Sequence, residues 1–372
     1  MTTKSNKNNV DRTEYFSVPV DLPKFKPMRA KDWIPYGRST NEFSRELNEL
    51  ITGNSEYGGC EMHASIIETK SLMITGSDVE LTTPEAERLF GSPRKANNLI
   101  FKLAKDISVY GWFCVEVIRS RSGAVVKINH IDCSQVLWSP KDERGEIPGF
   151  WWSDDWSNYR KDAHKPVFVP RYENGSKEAR SFMVGTTSYN SGVGYYTYPD
   201  YIAALPAIKA DIGIVDFHHS NLDNNFEPGK MVTFIGDEPD EEGKARIREK
   251  FENKHSGTKK TGRTIINYCI EKESAPTIET LGDDGLDKKF DTLSVNITQR
   301  ILTGHGVTSP LLVGVAVPGK LGGSAELETA RELFFEYRIL PKRNVIIDAL
   351  EEIVDGIRII DGKKTGNRDG DD

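Results

Sequence analysis

Cysteine is scarce: Cys60, Cys114, Cys133 and Cys269 are the only four in 372 residues. No two of them have C-x-x-C spacing, so neither a thiolate zinc site nor a dithiol redox centre is written here. Free thiols, buried in a reducing compartment, are the expectation. Long apolar runs are missing as well. None reaches the ~18 residues that span a bilayer, so no membrane partner is expected. Met1 to Val10 is polar, without the apolar stretch of a secretory signal. Positive charge is in deficit, with 49 Lys and Arg against 56 Asp and Glu, a net of −7. A protein that coats nucleic acid needs clustered cations, because phosphate contacts supply its affinity. An acidic chain can still let a duplex slide past without sticking.

Hydrophobic residues make up 37% and charged residues 28%. The length suits about two or three packed units. Residues 1 to 30 are polar and then proline-rich (Pro19, Pro23, Pro27), and read as an arm. Short helical patterns fall at Glu42 to Leu50 and Cys60 to Thr69. A longer one, Ala96 to Tyr110, places Leu99, Ile100, Leu103, Ile107 and Tyr110 at helical spacing before Gly111. The period then changes to two. Phe113 to Arg119, Ala124 to Ile131 and Val136 to Ser139 read as strands, with Ser122-Gly123 turning the first pair. Trp151, Trp152 and Trp156 follow in a stretch rich in Tyr, Ser and Gly. They could stack bases. Without basic residues between them they fit aromatic packing of a sheet or a subunit contact better.

Asp200 to Phe226 carries the most informative pattern. Asp200 is placed to cap it, and Pro206 is expected to kink its second turn. Tyr201, Leu205, Ile208, Ile212, Val215, His219 and Leu222 follow alternating spacings of four and three, a heptad seam. Lys209, Asp211, Asp216 and Asp223 lie off that seam. Such a helix packs along one stripe and can stand as a strut. After Glu227-Pro228-Gly229, strand-like Met231 to Ile235, a helix from Asp240 to His255, and strand-like Thr264 to Ile270 and Thr277 to Leu281 form a small α/β insert. A second strut, Gly285 to Thr303, carries Leu286, Phe290, Leu293, Ile297 and Ile301. A Gly/Pro loop, Val307 to Gly323, leads to a long helix, Ser324 to about Asp355, that Pro341 is expected to kink.

Enzymatic candidates are thin. Gly314 to Lys320 fits G-x-x-x-x-G-K, but the next position, where a Ser or Thr must bind Mg²⁺, is Leu321. Gly322 and Gly323 also delay the helix that such a loop needs. Asp216 and His219 share a helical face, whereas His218 and His219 do not, so a metal site there is weak. Asp154-Asp155 and Asp283-Asp284 read as solvated pairs. Lys259-Lys260, Lys288-Lys289 and Lys342-Arg343 read as solvated basic patches. No catalytic residue, metal or cofactor is expected.

The order of these parts resembles the portal proteins of tailed bacteriophages. The stretches that carry the resemblance are YPDYIAALPAIKADIGIVDFHHSNLDNNFEPGKMVTF, ILTGHGVTSPLLVG and GGSAELETARELFFEYRILPKRNVIIDAL, all within Tyr198 to Leu350. YGWFCVEVIRSRSGAVVKINHID is similar to the sheet of a portal wing. The resemblance implies an α+β portal fold and a non-enzymatic subunit. It divides the chain into an N-terminal arm (1–30), the first part of a wing (31–199), stem helix 1 (200–226), a clip (227–284), stem helix 2 (285–304), a tunnel loop (305–323), a long wing helix with a reduced or absent crown (324–361) and a flexible tail (362–372). Stem packing falls to Leu205, Ile208, Ile212, Val215, Leu222, Phe290, Leu293 and Ile297. The clip surface falls to Lys259, Lys260 and Arg263, and the DNA-facing loop to Gly319, Lys320, Gly322 and Gly323. The implied partners are eleven further copies in a ring, double-stranded DNA passing through the channel without sequence specificity, a terminase motor, head-completion or tail adaptor proteins, the capsid and a scaffold. The implied place is a virion vertex, reached from the host cytoplasm. A nucleotide-binding enzyme that uses the Gly314–Lys320 loop, and an adaptor ring other than a portal, are the competing readings.

Overall fold

The structure is a computed structural model that describes residues 32–53, 58–187, 190–223, 231–235, 239–254, 265–269, 286–314 and 324–361. Helix α1 (Glu42–Thr52) leads to α2 (Glu61–Thr75), strand β1 (Asp78–Leu81), α3 (Pro84–Phe90) and α4 (Pro93–Tyr110). Helix α4 starts three residues before the apolar pattern does. Ser92 accepts a hydrogen bond from the Lys95 N–H, and Pro93 sits at the first helical position, where a missing N–H costs nothing. Thr83 and Pro84 start α3 in the same way.

Gly111 ends α4 with φ +83°, a left-handed conformation that side chains disfavour. A Cβ there would also lie 2.7 Å from the Tyr198 carbonyl oxygen. The Gly111 carbonyl accepts from the hydroxyls of Thr187 and Thr197, both at 3.0 Å. One glycine therefore joins the end of a helix to the segment that leads to the first strut.

The chain then forms β2 (Trp112–Arg119), β3 (Val125–Ile131), β4 (Val136–Trp138), β5 (Gly149–Trp152), β6 (Val167–Pro170) and β7 (Arg180–Thr186). Strand β2 runs antiparallel between β3 and β7. It is covered on both faces, which explains its near-continuous apolar run. Its one carboxylate, Glu116, is matched across the sheet by Asn129 on β3 and Arg180 on β7. Strands β4, β5 and β6 make a second antiparallel sheet. Trp33 packs edge-on against Trp151, Trp156 and Tyr159 beside it. The tryptophans are thus packing groups of a sheet.

Helix α5 (Leu205–Asp223) follows a 3-10 turn at Ile202–Ala204. Pro206 falls in its first turn and breaks no helical hydrogen bond, which corrects the expected kink. Strand β8 (Met231–Ile235), helix α6 (Glu241–Lys254) and strand β9 (Ile265–Cys269) come next. Strands β8 and β9 pair in parallel, as a crossover through a helix requires. Helix α7 (Leu286–His305) then packs against α5. The two struts lie side by side.

Helix α8 (Ser324–Phe334) continues through a π turn, Phe335–Ile339, into α9 (Leu340–Glu351). The Leu340 N–H donates to the Phe335 carbonyl five residues back. The wider turn makes room for Pro341, whose ring would otherwise press on the carbonyl four residues earlier. Finally β10 (Ile357–Ile360) pairs antiparallel with β1, which ties the end of the long helix to the start of the body. One apolar core runs from Ile34 to Ile357. Among the described residues, no helix is long and apolar enough to cross a membrane.

Gly111→Ala should lower the unfolding free energy by at least about 1 kcal/mol, since it adds both left-handed strain and a backbone contact. Urea denaturation reads this directly, and an unchanged midpoint would contradict the role given to Gly111.

Candidate functional site

Four helices meet at one buried polar cluster. Helix α2 supplies His63 and Lys70, both without exposed surface. Asp200 and Tyr201 stand just before α5. His305 is the last residue of α7, and Lys342 lies in the first turn of α9. The Asp200 Oδ2 accepts from Lys70 Nζ and from Lys342 Nζ, each at 2.9 Å. Lys70 Nζ also lies 3.1 Å from His305 Nδ1, and His305 Nε2 lies 2.9 Å from His63 Nδ1. The Tyr201 ring stacks on His305 at 5.0 Å and meets His63 edge-on at 4.6 Å, while its hydroxyl donates to the Val109 carbonyl.

The hydrogen bonds fix the protons. Below about pH 7, where Lys70 is an ammonium that can only donate, His305 Nδ1 accepts from it and the His305 proton sits on Nε2. That N–H points at His63 Nδ1, which accepts, so the His63 proton sits on its own Nε2. This last atom is buried without a hydrogen-bond partner, as is Asp200 Oδ1. Charge follows the same logic. Burial alone would raise the Asp200 carboxyl, but the ammoniums of Lys342 and Lys70 overcome it and hold the group well below the usual carboxylate range. Burial pulls Lys70 down to about 7 against the pull of Asp200. Burial, reinforced by Lys70, pushes His63 down to about 3 and His305 well below its ordinary value. Both imidazoles are neutral.

A second anchor adjoins the cluster. Arg343 is buried and donates to the Met73 and Ile74 carbonyls at the C-terminal end of α2. Nη2, which donates to Met73, also donates to Asp361 Oδ1 at 2.7 Å, Nη1 donates to Asp361 Oδ2 at 2.8 Å, and the guanidinium covers the Phe335 ring. Helix ends leave carbonyls without intrahelical partners, and a planar guanidinium suits them. The expected solvated patch at Lys342-Arg343 is therefore wrong. Both cations are interior and each carries a specific pairing. Asp200 is likewise no simple helix cap.

The strut pair is half covered. Leu205, Ile208 and Ile297 are buried and Ile212 is partly so, at the end of the pair nearest the cluster. Farther along, Val215 is 37%, Leu222 56% and Leu293 46% exposed. Phe217 and Val295 are exposed too. The side chain of Phe290 lies outside the described residues, as do Lys259, Lys260 and Arg263 and the loop residues Gly319, Lys320, Gly322 and Gly323. The apolar run before Gly314 forms a 3-10 turn, Pro310–Val313, rather than the strand that a phosphate-binding loop follows. Among the described residues, no group of three or more potential ligands is placed to hold a metal. Cys60, Cys114 and Cys133 are buried free thiols. His130 and Cys133 both meet the buried Asp106, another contact hidden from local sequence.

No protein-family model and no curated protein matches this chain. Solved structures do match. A chain in the virion of a native gene transfer agent particle is 16% identical, with a TM-score of 0.54 over 88% of this chain and 85% of that one. The chain shares that fold. A chain in the neck of the native gene transfer agent particle, computed with C12 symmetry, is also 16% identical, with a TM-score of 0.52 over 82% and 79% of the two chains. An HK97 family phage portal protein from Corynebacterium diphtheriae is 11% identical over 78% of this chain and 87% of that one, with a TM-score of 0.41.

Asp200→Asn should strand two buried ammoniums and destabilise the fold by about 3–5 kcal/mol, measured by chemical denaturation. A loss below about 1 kcal/mol would refute the shared ion pair. The pH dependence has a definite sign. The imidazoles are neutral when folded, so the unfolded chain takes up protons first as pH falls. Stability should drop from pH 6.5 towards 3, by up to about 1.4 kcal/mol per pH unit for each imidazole. Lys70, depressed to about 7, should let stability climb between pH 7 and 10. His63→Gln should flatten the acid limb and Lys70→Met the alkaline one. Unchanged limbs would show that other groups set them.

Proposed function

We propose that this chain is a portal-type ring subunit of a phage-like particle, through whose axis double-stranded DNA passes. The observation that carries the reading is the fold shared over most of the chain with chains of a gene transfer agent virion and its neck, the latter computed with twelvefold symmetry. The sequence resemblance to tailed-phage portals points the same way. In this reading α5 and α7 are the two stem helices, 227–284 the clip, 305–323 the tunnel loop and 324–361 the long wing helix. Leu205, Ile208, Ile212 and Ile297 hold the stem pair to itself. Val215, Leu222 and Leu293, left uncovered in one chain, pack against neighbouring copies. A cyclic ring needs such one-sided surfaces, because each copy meets two different neighbours.

The net charge of −7 suits a conduit that must not grip its cargo. Lys320, repeated around the ring, supplies sparse contacts to phosphate without reading bases. Lys259, Lys260 and Arg263 on the clip face a terminase motor and later the head-completion or tail proteins, with the capsid around the wing. The particle is assembled in the host cytoplasm and the subunit remains in the virion. The chemistry needs no catalytic residue.

Native mass spectrometry of the purified chain tests the reading. It should show a species near twelve times 41.8 kDa. Val215→Asp with Leu222→Asp should leave the subunit folded but shift it to monomer, since each replaces an exposed apolar contact with a charge. Rings that persist in the double variant would contradict the stem assignment. A wild-type chain that stays monomeric at micromolar concentration would contradict the ring.

A further inference from the structure

Two charged stripes stand on the surface, and each is unfavourable in a lone chain. On α4, Arg94, Asn98 and Lys102 follow one another at every fourth position, with Lys95 beside Arg94, and all are exposed. Arg94 and Lys95 lie in the first turn of α4, which holds no acidic residue. A helix N-terminus carries partial positive charge and disfavours cations there. Among the described residues, Arg94, Lys95 and Lys102 have no ion-pair partner.

The opposite sign lines the long C-terminal helix. Glu328, Glu332 and Glu336 also recur at every fourth position, and all are exposed. Like charges four residues apart on a helix repel one another. Glu328 and Glu336 meet no cation among the described residues. The buried face of this rod belongs to Ala330, Phe334 and Ile339, so the carboxylates look outward.

The stripes match in length as well as in sign. Arg94 to Lys102 and Glu328 to Glu336 each advance about 12 Å along a helix. They do not pair within one chain. Helix α4 packs chiefly on α2, β1 and β2, and α8 on the Pro310–Val313 turn and the π turn. A cyclic assembly sets one face of each copy against a different face of the next. One copy then supplies the cations and its neighbour the carboxylates. Nucleic acid laid on α4 would leave the acidic stripe unanswered, whereas a second copy relieves both.

We propose that α4 of one copy docks against α8 of the next, with Arg94, Lys95 and Lys102 facing Glu328 and Glu336. The proposal rests on the ring reading and names one contact within it.

Carbodiimide coupling of the assembled full chain tests it, because the reagent joins a lysine amine to a carboxylate in contact with it, with loss of water. Rings built from mixed isotope-labelled and unlabelled chains should give Lys95 or Lys102 joined to Glu328 or Glu336 of a different copy. Arg94→Glu with Lys102→Glu should raise the protein concentration needed for rings about tenfold, read by native mass spectrometry. Glu328→Lys with Glu336→Lys should do the same, and the four substitutions together should recover the wild-type value. Thermal unfolding should stay unchanged in all three variants, since every position is exposed. Rings that form equally well in each double variant, crosslinks confined to one copy or to other carboxylates, or a fourfold variant no better than the doubles would overturn the pairing and leave the ring reading standing. A wild-type chain that forms no ring would overturn both.

Discussion

Asp200 holds one carboxylate where burial alone would neutralise it, and two lysines from different helices keep it charged. The rest of the architecture hangs on this. Lys70 belongs to the body and Lys342 to the long C-terminal helix, while Asp200 itself leads into the first strut. Through Lys70 the charge reaches His305 at the end of the second strut, and through His305 it reaches His63. A buried charge that loses its partner is far more costly than one never placed there. The four helices are therefore held in one arrangement rather than merely pressed together. Arg343 adds a second tie by linking the end of α2 to α9 and to the segment after β10. Apolar packing supplies most of the stability, but it tolerates shifts that a shared carboxylate does not.

Much of the fold was legible. The change of period at Gly111 marks the junction of helix and sheet, and Ser122-Gly123 turns β2 into β3. The heptad seam from Tyr201 marks the first strut, and the first strand, helix and second strand of the insert are present as β8, α6 and β9, while the strand expected at Thr277 to Leu281 lies outside the described residues. Boundaries failed where capping, not apolarity, decides them. Helix α4 begins at Pro93 because Ser92 caps it, three residues before the first apolar position. Pro206 does no harm in a first turn, whereas just before Pro341 the regular helix gives way to a π turn.

The cluster was not legible, because its members lie far apart in sequence and none forms a motif. One local signal existed: Lys70 stands on the inward stripe of α2 with Ile66, Ile67 and Ile74, and His63 stands two turns before it. A lysine on an apolar stripe demands a buried anion. Lys342-Arg343 misled for the opposite reason, since two adjacent cations read as surface unless their partners are known. The strut pair, by contrast, shows an apolar pattern that is only partly covered among the described residues. Val215, Leu222, Leu293 and Val295 remain exposed while their neighbours nearer the cluster are covered. Such a pattern is understandable when the covering surface belongs to another copy.

The two ends of the strut pair thus have different tasks. One end is fixed by buried charge, which keeps the rods at a set angle to the body. In the proposed ring the other offers apolar surface for assembly. A cryo-electron microscopy map of the assembled protein tests this division most directly. The account predicts a closed ring in which α5 and α7 of each copy line the space around the axis, with Val215, Leu222 and Leu293 covered by neighbours. A ring whose contacts leave those side chains in solvent, or an assembly with no central opening, would contradict it.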